Sequence, residues 1–189
     1  TEIYPLSLHD ALPIWEHLEG TQGLDLSSLD DLATLPFTAP ADVRREPHRF
    51  LCVSQSRVAR VVTLQTSGTS GSPKRVFFTA EDQERTIDFF HHGMSTFTGV
   101  GDRVLILMPG DLPGSVGDLL VKGLDRLGAV GVPHGPVLDP FRTLAVMDEK
   151  KIDALVGIPT QVLGLARCSG GKAAPRSVLL SADHVPVAV

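Results

Sequence analysis

The stretch DRVLILMPGDLPGSVGDLLVKGLDRLGAVGVP, residues 102–133, decides the fold. Val104–Met108 is an apolar run too short for a helix, bounded by Asp102 and by Pro109-Gly110, and it reads as a strand. A helix-like stretch follows at about 115–127, then a second strand-like run at Ala129–Val132. The alternation continues with strand-like Ala154–Ile158 and Ser177–Leu180, and helix-like stretches at about 139–150 and 160–167. Each strand-like run is short, apolar and punctuated by Gly, Pro or Asp, the pattern expected when both faces of a strand are covered. Strands alternating with helices predict βαβ crossovers. The fold class is α/β, with a mostly parallel sheet flanked by helices.

Upstream the pattern is less regular. Residues 27–50 mix helix and loop, with Pro36, Pro40 and Pro47 as punctuation. Arg57–Gln65 is β-branched and strand-like, and Val76–Thr79 reads as a second strand. Thr79, with Asp82 three residues on, predicts a helix start running through about Phe97. The chain has 189 residues, 42% hydrophobic and 21% charged, so it can bury a core, and disorder is excluded. It contains no apolar run of the roughly 20 residues that a membrane span needs, and a cytoplasmic location is expected. Cys52 and Cys168 have no CxxC partner and read as buried thiols.

Charge is unevenly spread. Residues 1–43 hold eight acids and no Lys or Arg, whereas residues 44–75 hold seven bases against Glu46 alone. A basic segment inside an acidic chain of net charge -5 points to a local polyanion site more than to a nucleic-acid surface.

Inside that segment lies TSGTSGSPK, Thr66–Lys74. Thr66, Ser67, Thr69, Ser70 and Ser72 supply hydroxyl donors, and Gly68 and Gly71 let backbone N–H groups come close to an anion. Lys74, after Pro73, adds a positive charge suited to phosphate oxygens. A Walker A loop is excluded, because Arg75 follows the lysine and the next element is strand-like. The arrangement suits a flap over a triphosphate, carried between two strands.

The segment resembles the phosphate-binding loop of the adenylate-forming, or AMP-binding, enzyme superfamily, whose pattern [ST]-S-G-[ST]-[ST]-G-x-P-K is met at each fixed position. Three flanking segments are similar to the phenylacetate–CoA ligase-like branch: Leu29–Thr38 to its lead-in, Phe78–Asp82 to its post-loop helix start, and Gly157–Thr160 to its strand end beside the acyl pocket. Ser181, Ala182 and Asp183 resemble the turn near the adenine. The resemblance implies an AMP-forming acid–thiol ligase, in which a carboxylate attacks Mg-ATP to give an acyl-adenylate and coenzyme A then displaces AMP. It assigns ATP binding to Thr66, Ser67, Gly68, Thr69, Ser70, Gly71, Ser72, Pro73 and Lys74, with Lys74 steadying the departing pyrophosphate. It places Ser115, Ile158, Pro159 and Thr160 along the acyl pocket; His134 is a candidate for the same pocket because it follows the second parallel strand, at the carboxyl edge where α/β proteins bind ligands. The partners it implies are a small carboxylic acid, ATP with Mg2+, and coenzyme A, with neither nucleic acid nor membrane; no oligomeric state follows.

The family's Tyr-Gly-x-Thr-Glu segment with its metal-binding Glu, its ribose-binding Asp and its C-terminal lid lysine are absent from this sequence. Residues 15–189 are therefore expected to be the N-terminal part of the adenylation domain, at best a weak nucleotide binder alone. Thr1–Ile14 resembles translated adapter read-through and is set aside as a non-native leader.

Two other readings stay open. A nucleotide- or polyanion-binding module without chemistry could use the basic 44–75 segment. A serine hydrolase would use Ser115, but Pro113-Gly-Ser-Val-Gly117 lacks the first Gly of G-x-S-x-G, and Ser115 also reads as a helix cap. His91 and His92 are adjacent instead of four apart, so they read as packing or surface residues and not as metal ligands.

Overall fold

The computed structural model describes residues 27–64, 73–171 and 174–183. The chain forms two compact units, Thr1–Asp82 and Gln83–Val189.

In the first unit, a 3-10 turn at Asp30–Thr34 precedes helix α1, Pro40–Arg45, and two further 3-10 turns at Pro47–Phe50 and Gln55–Arg57. Pro40 and Pro47 each occupy the first position of their turn or helix, where the missing N–H has no partner to lose. The Asp31 carboxylate collects the Ser28 N–H at 2.7 Å and the Ser27 N–H at 2.9 Å, and these bonds lower its pKa. Strands β1, Val58–Leu64, and β2, Lys74–Thr79, then pair antiparallel, with Leu64 opposite Lys74 and Val62 opposite Val76. Arg57 thus lies in a turn ahead of the strand, and β2 begins two residues earlier than its β-branched run suggests.

Thr79 closes β2 and caps α2, Ala80–Met94. Its Oγ1 accepts from the Asp82 N–H at 3.1 Å, and the Asp82 carboxylate accepts from the Thr79 N–H at 2.8 Å. This reciprocal pair satisfies two of the helix's otherwise orphan donors, as the sequence predicts.

The second unit is built on four parallel strands in the order β4-β3-β5-β6: β3 Arg103–Ile106, β4 Val130–Pro133, β5 Ala154–Gly157 and β6 Ser177–Leu180. Between them run α3, Val116–Leu127, α4, Pro140–Glu149, and α5, Pro159–Ser169. Alternate residues of β3 and β5 face opposite ways, so each strand feeds two cores. Val104, Ile106, Ala154 and Val156 pack with Met94 of α2 and Leu120 and Leu124 of α3. Leu105 and Leu155 pack on the other face with Met147 of α4 and Leu165 of α5. Val104–Ile106 of β3 and Ala154–Val156 of β5 are consequently all apolar and buried.

Helix boundaries have local causes. Asp139 caps α4, accepting the Phe141 N–H at 2.9 Å. Gly128 ends α3 in the left-handed region, at φ 78, a conformation that favours glycine. The amino edge of the sheet is pinned by acids. The Asp153 carboxylate accepts the Arg103 N–H at 2.9 Å, and Asp102 holds the Gly99 N–H at 2.7 Å and the Arg176 guanidinium. The α/β class and mostly parallel sheet expected from the sequence are what the chain adopts.

Candidate functional site

The phosphate-loop candidates Thr66, Ser67, Gly68, Thr69, Ser70, Gly71 and Ser72 lie outside the described residues. Its two ends are described. The antiparallel pair Leu64–Lys74 closes a connection of nine residues, 65–73, so the hydroxyl-rich segment runs between two hydrogen-bonded strand ends. Pro73 is exposed before the strand, and Lys74 is the first residue of β2, half-buried at the foot of the loop. Direct partners across an antiparallel pair share a face, which puts Lys74 on the side of Val62 and Val76 and puts Arg75 on the other with Thr63. Anchoring the lysine in a strand fixes where its stem starts.

The remaining candidates gather at the carboxyl edge of the parallel sheet. Ile158 follows β5 in extended conformation, Pro159 is the buried first residue of α5, and Thr160 is exposed beside it. Ser181, Ala182 and Asp183 follow β6, all exposed, with the Ser181 N–H donating to the Gly157 carbonyl at 3.1 Å. Ala182 has φ 71, left-handed backbone that a non-glycine residue adopts at some cost, and such strain is concentrated at functional turns.

His134 follows β4 at the same edge. Its Nε2 lies 3.2 Å from Thr143 Oγ1 and its Nδ1 lies 3.1 Å from the Gly135 carbonyl, while Thr143 is 1% exposed and donates to the Asp139 carbonyl. The ring therefore ties the end of β4 to α4.

Ser115 stands at the N-cap position of α3 but does not cap with its side chain, contrary to the sequence reading. The Asp118 carboxylate, in the first turn, accepts the Gly114 N–H at 2.6 Å and pairs with Lys122 Nζ at 2.7 Å. Ser115 Oγ is buried with no hydrogen-bond partner among the described residues, so it is not presented as a nucleophile. Cys168 also departs from expectation. It is exposed, because it sits in the last turn of α5 beyond Leu165, the last buried residue of that helix, while Cys52 is half-buried.

Sequence reasoning missed two ties at this edge. Gln161 Oε1 accepts the Val137 N–H at 2.9 Å, joining the β4–α4 loop to the start of α5. Gly117 rests against Pro109 and Gly110, its N–H donating to the Pro109 carbonyl at 2.9 Å. Only the glycines signal the second tie in sequence, and nothing signals the first.

The strand order makes this edge a place for a ligand. From β3 the chain crosses by α3, on one face, to β4; from β5 it crosses by α5, on the opposite face, to β6. The loops leaving the neighbouring strands β3 and β5 diverge, which opens the crevice that α/β sheets use for binding.

No family model matches the chain. A phenylacetate–coenzyme A ligase from Aromatoleum evansii is 35% identical over 118 residues, which cover 61% of this chain and 26% of that protein. Among solved structures, 2-hydroxyisobutyryl-CoA ligase in an open conformation with 2-HIB-AMP and CoA superposes with a TM-score of 0.66 at 22% identity, covering 86% of this chain and 39% of that one. The same ligase in the thioesterification state gives a TM-score of 0.65 at 23% identity, covering 85% and 37%. The chain thus spans about a quarter of the length of the curated relative it matches. The chain is thus similar in sequence to a phenylacetate–coenzyme A ligase and shares the fold of part of 2-hydroxyisobutyryl-CoA ligase.

Proposed function

We propose that this chain is the N-terminal part of an ATP-dependent carboxylic acid–CoA ligase, and that it binds nucleotide only weakly by itself. The observation that carries the reading is the loop Thr66–Lys74, matched position by position to the phosphate-loop pattern and running between paired strand ends with a lysine at its foot. In the first step a carboxylate oxygen attacks the α-phosphorus of ATP and the bond to pyrophosphate breaks. In the second, the coenzyme A thiolate attacks the acyl carbon and AMP leaves. The loop's part is to hold the β- and γ-phosphates and to spread the charge that builds on the leaving pyrophosphate. Lys74 supplies a full positive charge there, and the hydroxyl and backbone donors supply directed hydrogen bonds. Mg2+ enters with the nucleotide's phosphates, as that ion commonly does. The divergent loops after β3 and β5 receive the acid, with Ile158, Pro159 and Thr160 on one side and the segment ending at Ser115 on the other.

The test is ATP–pyrophosphate exchange by the full reading frame, across aromatic and short aliphatic acids, with Lys74→Ala beside it. Acid-dependent exchange that falls roughly 100-fold or more in the variant is the expected result. Exchange unaffected by Lys74→Ala refutes the role given to the loop. Mg-ATP binding without exchange for any acid supports a binding module instead.

A further inference from the structure

We propose that the first unit holds a separate binding site for a small apolar monocarboxylate, in the cavity beside strand β2. The cavity has a volume of about 300 Å3 and is lined by residues of both strands and of the turns before them. Phe50, Val58 and Phe77 supply an apolar wall; Arg75, two residues from Phe77 along β2 and so on the same face, completes it together with Cys52. That size and lining are those of a small-ligand pocket with one orienting polar group.

Charge chooses the ligand. Arg75 has no ion pair or hydrogen bond among the described residues, so its guanidinium is available to a carboxylate, which it can meet through two parallel N–H bonds. Asp82 is the other charged group of the lining, and it is committed to the Thr79 N–H and hydroxyl, both at 2.8 Å, at the positive end of α2. An apolar chain in the cavity with its carboxylate on Arg75 satisfies both features. Because β2 runs from Lys74 to Thr79, an occupant would rest on the strand that carries the foot of the phosphate loop. The proposal requires neither ATP nor an acyl acceptor, so it stands or falls apart from the ligase reading.

The chain carries its own reporter. It has two cysteines, one in this cavity and one, Cys168, exposed on α5 in the other unit. Alkylation of each by iodoacetamide is followed by peptide mass spectrometry in the 189-residue protein, with octanoate or uncharged 1-octanol as the probe. Saturating octanoate should slow Cys52 roughly five-fold or more while Cys168 is unchanged, since the ligand covers a large share of the wall it contacts. Arg75→Gln should raise the octanoate concentration needed about tenfold, the worth of one charge-assisted pair. An unaltered Cys52 rate without ligand shows that the first unit of that variant remains folded, and the exposed Cys168 controls for the reagent. No protection of Cys52, equal protection of both cysteines, or equal protection by octanol would each overturn the proposal.

Discussion

Gly117 and Gly164 both lie within helices of the second unit, yet the same substitution should move stability in opposite directions. A Cβ on Gly117 would stand 2.8 Å from Gly110 Cα and 2.9 Å from the Pro109 carbonyl oxygen. These are backbone atoms and cannot rotate away. Ordinary contact begins near 3.4 Å, so α3 must lift by about 0.6 Å, stretching the 2.9 Å hydrogen bond from the Gly117 N–H. Overpacking of this kind costs roughly 1–3 kcal/mol, whereas alanine's better helix propensity returns at most about 1 kcal/mol. The net expectation for Gly117→Ala is a loss of about 1–2 kcal/mol. A Cβ on Gly164 meets nothing within 4 Å, so Gly164→Ala should gain about 0.5–1 kcal/mol. Urea denaturation of the two variants reads the same unit, and a spread of roughly 2 kcal/mol separates the midpoints by about 1 M for an m-value near 2 kcal/mol/M. A Gly117→Ala midpoint equal to or above that of Gly164→Ala would refute the backbone contact, and with it the seating of α3 on the segment that leaves β3.

Other outcomes follow from single residues. The pKa of Asp102 is lowered by the Gly99 N–H above all, against a raising contribution from burial, with Arg176 also lowering it. A carboxylate held below its ordinary 3.8 contributes stability above about pH 4 and loses that contribution as the pH falls through its folded pKa. Asp102→Asn should therefore be least stable relative to the parent near neutrality, with the gap narrowing below pH 4 in acid titrations followed by circular dichroism; a gap that widens in acid would show the sign to be wrong. Ser115, its Oγ buried, should remain unlabelled by a fluorophosphonate, and a phosphonylated Ser115 peptide would revive the hydrolase reading.

The second unit was legible because burial on both faces leaves a plain trace in sequence. Val104 to Leu107 are all apolar because they alternate between two cores, and an apolar run this short is read as a strand without knowledge of its neighbours. The Thr79–Asp82 cap was equally local. What stayed hidden depends on groups that meet only after folding. Main-chain pairing with Leu64 draws Lys74 into β2, and no side-chain pattern records that pairing. Ser115 stands at the cap position without capping, while Asp118, three residues on, accepts the Gly114 N–H, although either residue type can cap a helix. His134 was noticed for its place at a strand end, whereas its bonding to Thr143 depends on how α4 returns across the sheet.

The basic stretch 44–75 looks in sequence like one polyanion surface, and the structure divides it. Arg45 pairs with Asp42 at 3.3 Å and with Glu46 at 4.0 Å, and Arg49 pairs with Glu46, so a share of the cationic charge is neutralised within its own turn. Arg60 is engaged as well. Lys74 and Arg75, at the foot of the loop, fall on opposite faces of the hairpin and do not form one stripe. A surface that tracks a polyanion needs several cations released together, and each adds roughly 0.7 to the salt slope for a single-stranded nucleic acid. A loop that grips one triphosphate through hydrogen bonds and a single lysine needs far less. Oligonucleotide binding should accordingly be weak, with a slope below about 1.5 on a logarithmic salt axis, or two contacts at most. A slope of roughly 3 or more, the mark of four or more phosphate contacts, would return the advantage to a polyanion-binding module.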